Sequence, residues 1–421
     1  MSELGGYQYP LREQMLTLRS IMQPATISSS KQLRKFPLFD LMRLLQTVFK
    51  PKKGERLCIL IDLEHPKDVV DLAFLKKSGH PVQKKAYEVF YQGLRDGVMD
   101  QLHLKACDFF AYKMTGGSNL ELPEDAIAID GSLMHLDKDI YPKYDIILCI
   151  TSYSATAPLT QRAKKFGFRG ATMHGVNDTI LNTGLAVDYH EVSQETELLR
   201  KGMAHPDSVD IDFEVDHRNY HLHIDLQRQD AQKSHGICHD GGDIVNLPAG
   251  EVYFVPSNAE GSFPIKFESD GTLGLMDVEE GKVIKASLLR GNPETINAWQ
   301  ARLESDPATG ILGELGFGTQ VLPYSGADIQ DEKIFGTFHL ATGRNDHLKG
   351  SVTKERFRKL SNASHDDILF SSTKTPEIHV KQVRMLRHGK SENLIENYEP
   401  SSYLRSLLKA AQQSNSKTHE T

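Results

Sequence analysis

The segment LCILIDLEHP, residues 57–66, is an apolar run that ends in acidic and imidazole side chains. Short runs of this kind are typical of strands buried on both faces of a parallel sheet. Two further segments have the same character, YDIILCITSY (144–153) and GFRGATMHG (167–175), and helices are predicted at 82–101 and 158–166. Strands that alternate with helices predict a parallel sheet covered by helices.

The second half of the chain has a different pattern. Residues 208–227 (SVDIDFEVDHRNYHLHIDLQ) alternate apolar and polar side chains around an Asp-His-Arg-Asn turn, which is typical of an antiparallel hairpin. Short strands are predicted at 251–255, 263–267 and 282–288, and a helix at 293–305. The predicted fold class is therefore α/β, with an N-terminal α/β domain of mainly parallel sheet and a C-terminal mixed α+β domain.

A chain of 421 residues is longer than one ordinary core requires, so we expect more than one domain. The expected division is a helical N-terminal extension at 1–50, the N-terminal α/β domain at 51–200 and the C-terminal metal-binding catalytic domain at 201–400. Within the extension, the apolar spacing of 36–49 predicts a helix. The polar tail at 401–421 is expected to be disordered.

Composition excludes several classes of function. The formal charge of −7 and the pI near 6.2 argue against a nucleic-acid binder. No apolar run approaches the ~20 residues that cross a bilayer, so no membrane association is expected. The N-terminal residues lack the pattern of a secretory signal, and the four cysteines form no CxxC pair. We therefore expect a cytoplasmic protein with reduced thiols.

Two glutamates stand alone in apolar surroundings. In NLPAGEVYFVP (246–256), Glu251 opens a strand directly after Gly250. In GILGELGFGTQ (310–320), Glu314 lies among glycines and apolar residues. A buried carboxylate is costly unless it is paired or bound to a metal.

Two further segments add imidazole groups to these carboxylates. IFGTFHLATGRND (334–346) places His339 in an apolar strand, and ASHDDILF (363–370) offers His365 and Asp367 on one face of an extended segment. Imidazole with carboxylate suits Zn²⁺, Co²⁺, Mn²⁺ or Fe²⁺. The sequence thus predicts one or two divalent ions in the C-terminal half.

The other closely spaced histidines are interpreted as structural. His221 and His223 share one face of a strand and are assigned to a solvated hairpin face. His235 and His239 have helical spacing, but the glycines around them favour a loop.

These motifs resemble the M29 aminopeptidases, also called the aminopeptidase T family. The resemblance is carried by NLPAGEVY, GELGFGT, GTFHLATG and the closing His-x-Asp, and it extends from about residue 50 to 395. It implies an N-terminal α/β domain, a metal-binding domain and a homodimer that removes N-terminal residues from peptides. The predicted function is therefore a metal-dependent aminopeptidase-like hydrolase.

The resemblance also implies roles for single residues. Glu251, His339, His365 and Asp367 match metal ligands, and Glu314 matches a ligand that also activates water as the catalytic base. The family has a tyrosine ligand seven residues after the histidine of the third motif, where this chain has Asp346. Asp346 is therefore predicted as a substitute ligand.

Smaller departures from the family leave other functions open. They are Gln320, the charged Asp366 inside the closing pair, and His174 near the expected cleft. The related ring-cleaving 2,5-dihydroxypyridine dioxygenases use one Fe²⁺ with two histidines and an aspartate, and they carry a histidine at the place of Glu314. His339, His365 and Asp367 would supply such a triad. A non-catalytic, peptide-binding descendant of the family is the remaining alternative.

Overall fold

The apolar run at 57–66 forms the strand Arg56–Leu63, as predicted, in a computed structural model that describes residues 35–418. The strands of the described part are, in chain order, β1 Arg56–Leu63, β2 Ala106–Lys113, β3 Asp125–Ala128, β4 Leu133–His135, β5 Ile146–Cys149, β6 Arg169–Thr172, β7 Ser208–Val215, β8 Arg218–Asp225, β9 Gln232–Ser234, β10 Ile244–Asn246, β11 Glu251–Phe254, β12 Asn258–Phe267, β13 Thr272–Glu279, β14 Lys282–Arg290, β15 Leu312–Gly318, β16 Phe338–Gly343, β17 His365–Phe370, β18 His379–Arg387, β19 Lys390–Glu396 and β20 Glu399–Pro400.

The helices cover the sheets and connect them. The α-helices of the described part are α1 Leu41–Phe49, α2 Pro81–Lys85, α3 Met99–Gln101, α4 Thr156–Phe166, α5 Asp178–Asn182, α6 Tyr189–Met203, α7 Pro293–Ser305, α8 Asp328–Asp331 and α9 Ser402–Thr418. Shorter 3₁₀ or π segments are Pro66–Lys76, Ala86–Tyr91, Leu94–Val98, Leu136–Ile140, Pro307–Gly310, Asp346–Leu348, Lys354–Arg356 and Leu360–Asn362. None of the helices described is long and apolar enough to span a membrane.

The first sheet has the order β10-β6-β5-β1-β2-β3-β4. Its strands from β10 to β2 are parallel, and β3 and β4 add an antiparallel edge. Both faces are buried, because Ile59 and Ile61 pack into one apolar cluster while Cys58 and Leu60 pack into another. The predicted mainly parallel sheet is therefore confirmed.

The predicted domain boundary near residue 201 does not separate the strands of the first sheet from those of the other sheets. Strand β10, at Ile244–Asn246, returns to the first sheet and pairs with β6. Its neighbour along the chain, β9, pairs instead with β11 in the second sheet. The segment between 235 and 250 thus connects the two sheets. The domain division at 201 stays a prediction.

The second and third sheets are antiparallel. The second has the order β17-β16-β15-β11-β9, and the third has the order β14-β13-β12-β8-β7-β18-β19-β20. The predicted hairpin is confirmed as β7 and β8, with Asp216 and His217 at the turn in the left-handed region (φ 48° and 62°). Apolar residues of both sheets share one buried cluster, in which Phe213 packs against Phe338 and Phe370.

The structure corrects the expectation of a disordered tail. Residues Ser402–Thr418 form α9, and Leu404, Leu408 and Ala411 are buried. The spacing of these apolar residues is helical, so one face of a mostly polar segment can pack against the rest of the protein. The helix predicted within 36–49 is confirmed as α1, whereas residues 1–34 of the predicted extension lie outside the described residues.

Candidate metal centre

One face of the second sheet carries the candidate ligands. In an antiparallel sheet, directly paired residues and alternate residues of one strand project from the same face. The pairing of β11, β15, β16 and β17 therefore brings these residues to a single face: Glu251, Glu314, His339, His365 and Asp367. The alternate positions of the same strands, such as Leu315, Phe317 and Phe338, are buried in the apolar cluster on the opposite face.

Small residues between the ligands make this face concave. Gly316 is paired with His339, and a Cβ at Gly316 would lie 2.2 Å from Cε1 of the histidine ring. Ala341 lies between Glu314 on one neighbouring strand and Asp367 on the other. The glycines of GELGFGT therefore leave space that the longer side chains of the neighbouring strands occupy.

The five side chains line one cavity of about 290 Å³. The carboxylates of Glu251 and Glu314 and the ring of His339 are buried, while the Asp367 side chain is 29% exposed. Further titratable residues line the same cavity, among them His174, Glu332, Lys333 and His347. The structure thus brings all five residues of the predicted cluster together, and their role as metal ligands stays a prediction.

The environment of His365 fixes which ring nitrogen faces the cavity. Its Nδ1 lies 2.6 Å from the carbonyl oxygen of Arg344, which can only accept a hydrogen bond, so Nδ1 carries a proton. Its Nε2 lies 3.0 Å from a carboxylate oxygen of Glu314 and 3.2 Å from one of Asp367. A histidine whose Nδ1–H binds a backbone carbonyl while its Nε2 faces carboxylates has the arrangement of a metal-binding imidazole.

The charges around this point favour a cation. Burial would raise the pKa of Glu314, but hydrogen bonds with His339 and His365 outweigh burial and lower it, so Glu314 is a carboxylate. Against the effect of burial, Asp367 and Glu314 raise the pKa of His365 well above its usual value. In this cluster a proton on His365 and a metal ion balance the same negative charges, and metal binding would displace the proton.

A second histidine extends the cluster. The Nε2 of His339 lies 3.5 Å from the other oxygen of Glu314. The Nδ1 atoms of His339, His174 and His347 are buried and have no hydrogen-bond partner. An unpaired buried polar atom costs about 1–3 kcal/mol of stability. Three such atoms beside one cavity therefore indicate that their partners come from a bound ion or ligand.

Three sets of three residues offer ligand atoms within 4.8 Å of one another. Each set, found among the described residues, contains one histidine and two carboxylates. The sets are Glu251, Glu314 and His339; Glu314, His365 and Asp367; and Glu332, His339 and Asp367. Nitrogen and oxygen donors in this ratio suit Zn²⁺, Mn²⁺ and Fe²⁺.

A buried lysine lies within this cluster. Lys333 is 1% exposed, and its ammonium binds the carboxylates of Glu251 and Glu332. Burial disfavours a charged lysine, but the two carboxylates outweigh burial and raise the pKa of Lys333, so the side chain is an ammonium. This contact was not predicted, because Lys333 lies in the charged string DEKIF, which is typical of an exposed turn.

The structure places Asp346 outside the sets of close ligand atoms found among the described residues. Its carboxylate accepts hydrogen bonds from Arg344 Nε at 2.7 Å and from Gln161 Nε2 at 2.6 Å. Asp346 therefore lies behind the cluster, where it holds a fully buried arginine whose carbonyl group positions His365. The next residue, His347, lines the cavity instead, with its ring centroid 4.9 Å from that of His365.

We predict that Asp346→Asn leaves metal content unchanged and lowers stability. Loss of the carboxylate leaves the guanidinium of Arg344 partly unpaired, and a hydrogen bond to a charged group contributes about 1.5–3 kcal/mol. Metal analysis and urea denaturation would measure the two effects separately. If the variant lost one equivalent of metal at unchanged stability, Asp346 would be a ligand after all.

The other histidines are placed as the sequence analysis interpreted them. His221 and His223 donate from Nδ1 to Asp212 and Asp210, at 2.8 and 2.7 Å, on the exposed hairpin. His235 contacts Ser193, and His239 binds the carbonyl of Thr47. In the described part of the chain, none of these four belongs to a set of three close ligand atoms.

The structure also shows the positions of Asp366 and Gln320, the two smaller departures from the family motifs. Asp366 points away from the cluster, as its position next to Asp367 predicts, and it binds Arg302 at 2.7 Å. Gln320 is buried, and its side chain packs where a Cβ on Gly250 would lie, just before Glu251. Both residues therefore support the strands and do not line the cavity.

Comparison with known proteins supports the fold. No model of a protein family matches the sequence, and no curated protein matches it significantly. Among solved structures, the chain is similar to 2,5-dihydroxypyridine dioxygenase from Pseudomonas putida KT2440, with a TM-score of 0.56 and 12% sequence identity. The match covers 86% of this chain and 97% of that protein. It shows a shared fold, whereas the aminopeptidase family is not shown by these comparisons.

Proposed function

We propose that this protein is a metal-dependent enzyme that uses one Fe²⁺ ion to oxygenate a small dihydroxylated aromatic ring. The observation that carries the proposal is the meeting of His365, Asp367 and Glu314, with the second imidazole of His339 beside them. Two histidines and a carboxylate are the ligands by which many non-haem oxygenases hold iron. An Fe²⁺ ion bound there would supply the one-electron chemistry that dioxygen requires in order to react with a ring.

The residues fit such an ion. Nε2 of His365 is directed at the two carboxylates by the Arg344 carbonyl group, so the orientation of the ligand is set before an ion arrives. Asp367 belongs to a set with each histidine, and its partial exposure gives an ion a route from the cavity. Glu314 adds a fourth donor between the two imidazoles.

The size of the cavity favours a small molecule over a polypeptide. Its volume of about 290 Å³ is just below the ~300–1,000 Å³ typical of small-molecule pockets. The first sheet contributes apolar and polar residues of β10 to the wall. Asn246 lines the cavity, and its Oδ1 accepts hydrogen bonds from the hydroxyl groups of Thr156 and Thr172. Its amide NH₂ is therefore left to donate to a substrate oxygen.

The proposed substrate class is taken from the structural neighbour. Its name states dioxygenation of a dihydroxypyridine, and its fold matches 86% of this chain. A hydroxylated ring is compatible with the groups around the cavity, because the amide of Asn246 offers a donor to a ring oxygen. The neighbour's activity is extended to this chain as a proposal, on the basis of these groups.

Metal-dependent hydrolysis is the second candidate, and a specific observation favours it. Each set of close ligand atoms contains two carboxylates and only one histidine, which is richer in carboxylate than a site of two histidines and one carboxylate. A carboxylate-rich site with Zn²⁺, Co²⁺ or Mn²⁺ would suit removal of an N-terminal residue from a peptide, with Glu314 as the base.

One experiment separates these candidates. Full-length protein purified without chelator is analysed for metal, then freed of metal and reloaded under argon with Fe²⁺, Zn²⁺, Co²⁺ or Mn²⁺. Oxygen uptake is followed with dihydroxylated pyridines and benzenes, and release of free amino acids is followed with unblocked peptides. We expect oxygen uptake with the Fe²⁺ form alone.

The alternative outcomes are equally clear. Peptide cleavage by the Zn²⁺, Co²⁺ or Mn²⁺ form, without oxygen uptake by the Fe²⁺ form, would establish the hydrolase. Absence of bound metal under all loading conditions would reject both enzymes. Peptide binding without turnover would then support the non-catalytic alternative.

A further inference from the structure

Hydrogen bonds and close packing of its backbone hold Lys333 in the candidate metal centre. Its backbone N–H donates to the carbonyl of Gln330, and its own carbonyl accepts from the N–H of Gln320. Gly318, which is paired with Glu251, leaves room for this backbone, because a Cβ there would lie 2.6 Å from the carbonyl carbon of Lys333. The close approach of Lys333 to Glu251 therefore depends on a glycine of the GELGFGT motif.

The ammonium of Lys333 contacts one carboxylate in each of two of the three sets of close ligand atoms. It binds Glu251, which belongs to the set with Glu314 and His339. It also binds Glu332, at 2.5 Å, which belongs to the set with His339 and Asp367. The remaining set, Glu314 with His365 and Asp367, has no contact with the ammonium among the described hydrogen bonds and ion pairs.

The charges of these side chains also favour a single divalent ion. Four carboxylates offer close ligand atoms, those of Glu251, Glu314, Glu332 and Asp367, and among the described ion pairs one lysine ammonium, that of Lys333, contacts members of this group. Buried carboxylates require compensating positive charge. One divalent ion together with the ammonium leaves this group with a charge of about −1, whereas a second divalent ion would make it positive.

We propose that the ammonium of Lys333 occupies the position of a second metal ion, so that the protein binds a single divalent ion at Glu314, His365 and Asp367, with His339 beside them. The inference rests on the proposed function, because it assumes that the cavity binds metal. It deepens that proposal by giving a physical reason why only one ion binds and by giving Glu251 a role as the partner of a lysine. An ammonium fixed in this position neutralises Glu251 without offering an open coordination position.

The test is the metal stoichiometry of the full-length protein. Metal-free protein is equilibrated by dialysis against Co²⁺, and bound cobalt is measured by mass spectrometry. We expect one equivalent in the natural protein and two in Lys333→Met, because the neutral side chain leaves Glu251 and Glu332 free for an ion. Lys333→Arg keeps the charge and should bind one equivalent.

A double variant locates the second ion. Glu251→Gln combined with Lys333→Met removes both members of the pair and should return the stoichiometry to one. If metal-free Lys333→Met does not fold, recovery of its circular dichroism spectrum is followed during the Co²⁺ titration, and recovery should require two equivalents. A failure to recover at any concentration would overturn the proposal.

The remaining outcomes distinguish this inference from the proposed function. Two equivalents in the natural protein, or one in folded Lys333→Met, would overturn the role of Lys333 while leaving a metal enzyme in place. No bound cobalt in the natural protein would overturn the proposed function itself, and this inference with it.

Discussion

Replacement of Asp367 by alanine is expected to weaken Fe²⁺ binding by more than about 100-fold and to abolish turnover. Loss of a group that only supports a ligand already lowers metal affinity by about 10–100-fold, and Asp367 is proposed to contact the ion directly. Its carboxylate lies 3.2 Å from Nε2 of His365 and is shared by two of the three ligand sets. Calorimetric titration of metal-free protein with Fe²⁺ under argon would measure the affinity.

The adjacent residue provides a matched control. Asp366 projects from the opposite face of β17, where Arg302 and the hydroxyl group of Ser364 donate to its carboxylate. This side chain is 34% exposed, so Asp366→Ala should cost at most about 1 kcal/mol of stability and leave Fe²⁺ binding unchanged. Equal losses of affinity in both variants would show that the effect is structural and would remove Asp367 from the site.

Glu314→Gln is expected to weaken Fe²⁺ binding by about 10–100-fold, with turnover restored when Fe²⁺ is saturating. Glutamine keeps an oxygen donor but removes the negative charge between the two imidazoles. In the oxygenase, His339, His365 and Asp367 remain to hold the ion, so an excess of Fe²⁺ should recover oxygen uptake. The measurement is turnover as a function of free Fe²⁺.

The same variant distinguishes the hydrolase. If Glu314 is the base that activates water, its loss removes about 10²–10⁴-fold of the turnover at every metal concentration, because glutamine cannot accept the proton. Glu260→Gln, an exposed position on β12, is the control for loss of a glutamate charge. Peptide cleavage that stays low at saturating metal would support hydrolysis and contradict the oxygenase.

Much of the fold follows from local sequence patterns. The apolar runs around β1, β5 and β6 predict buried parallel strands, and the alternation in β7 and β8 predicts a hairpin. Because successive side chains of a strand point to opposite faces, the sequence also predicts that His365 and Asp367 share a face and that Asp366 does not. Each of these properties depends on residues close together in the sequence, which is why the sequence alone is sufficient.

Other elements were not predicted because their partners are distant in the sequence. Strand β10 joins the first sheet by pairing with β6, more than 70 residues earlier. Helix α9 forms because Leu404, Leu408 and Ala411 are buried, and a polar composition conceals that stripe. In both cases long-range packing selects a structure for which the local signal is weak. The homodimer and the cytoplasmic location stay predictions.

The sequence by itself determined which side chains are isolated in apolar strands, and therefore the residues from which a metal centre could be built: Glu251, Glu314, His339, His365 and Asp367. The tertiary structure decided how those residues are paired. It placed Lys333 against Glu251, 82 residues away, directed Asp346 to Arg344, and directed His365 by a backbone carbonyl group. A local pattern fixes the face from which a side chain projects, whereas the register between strands and the approach of distant loops fix what that side chain meets.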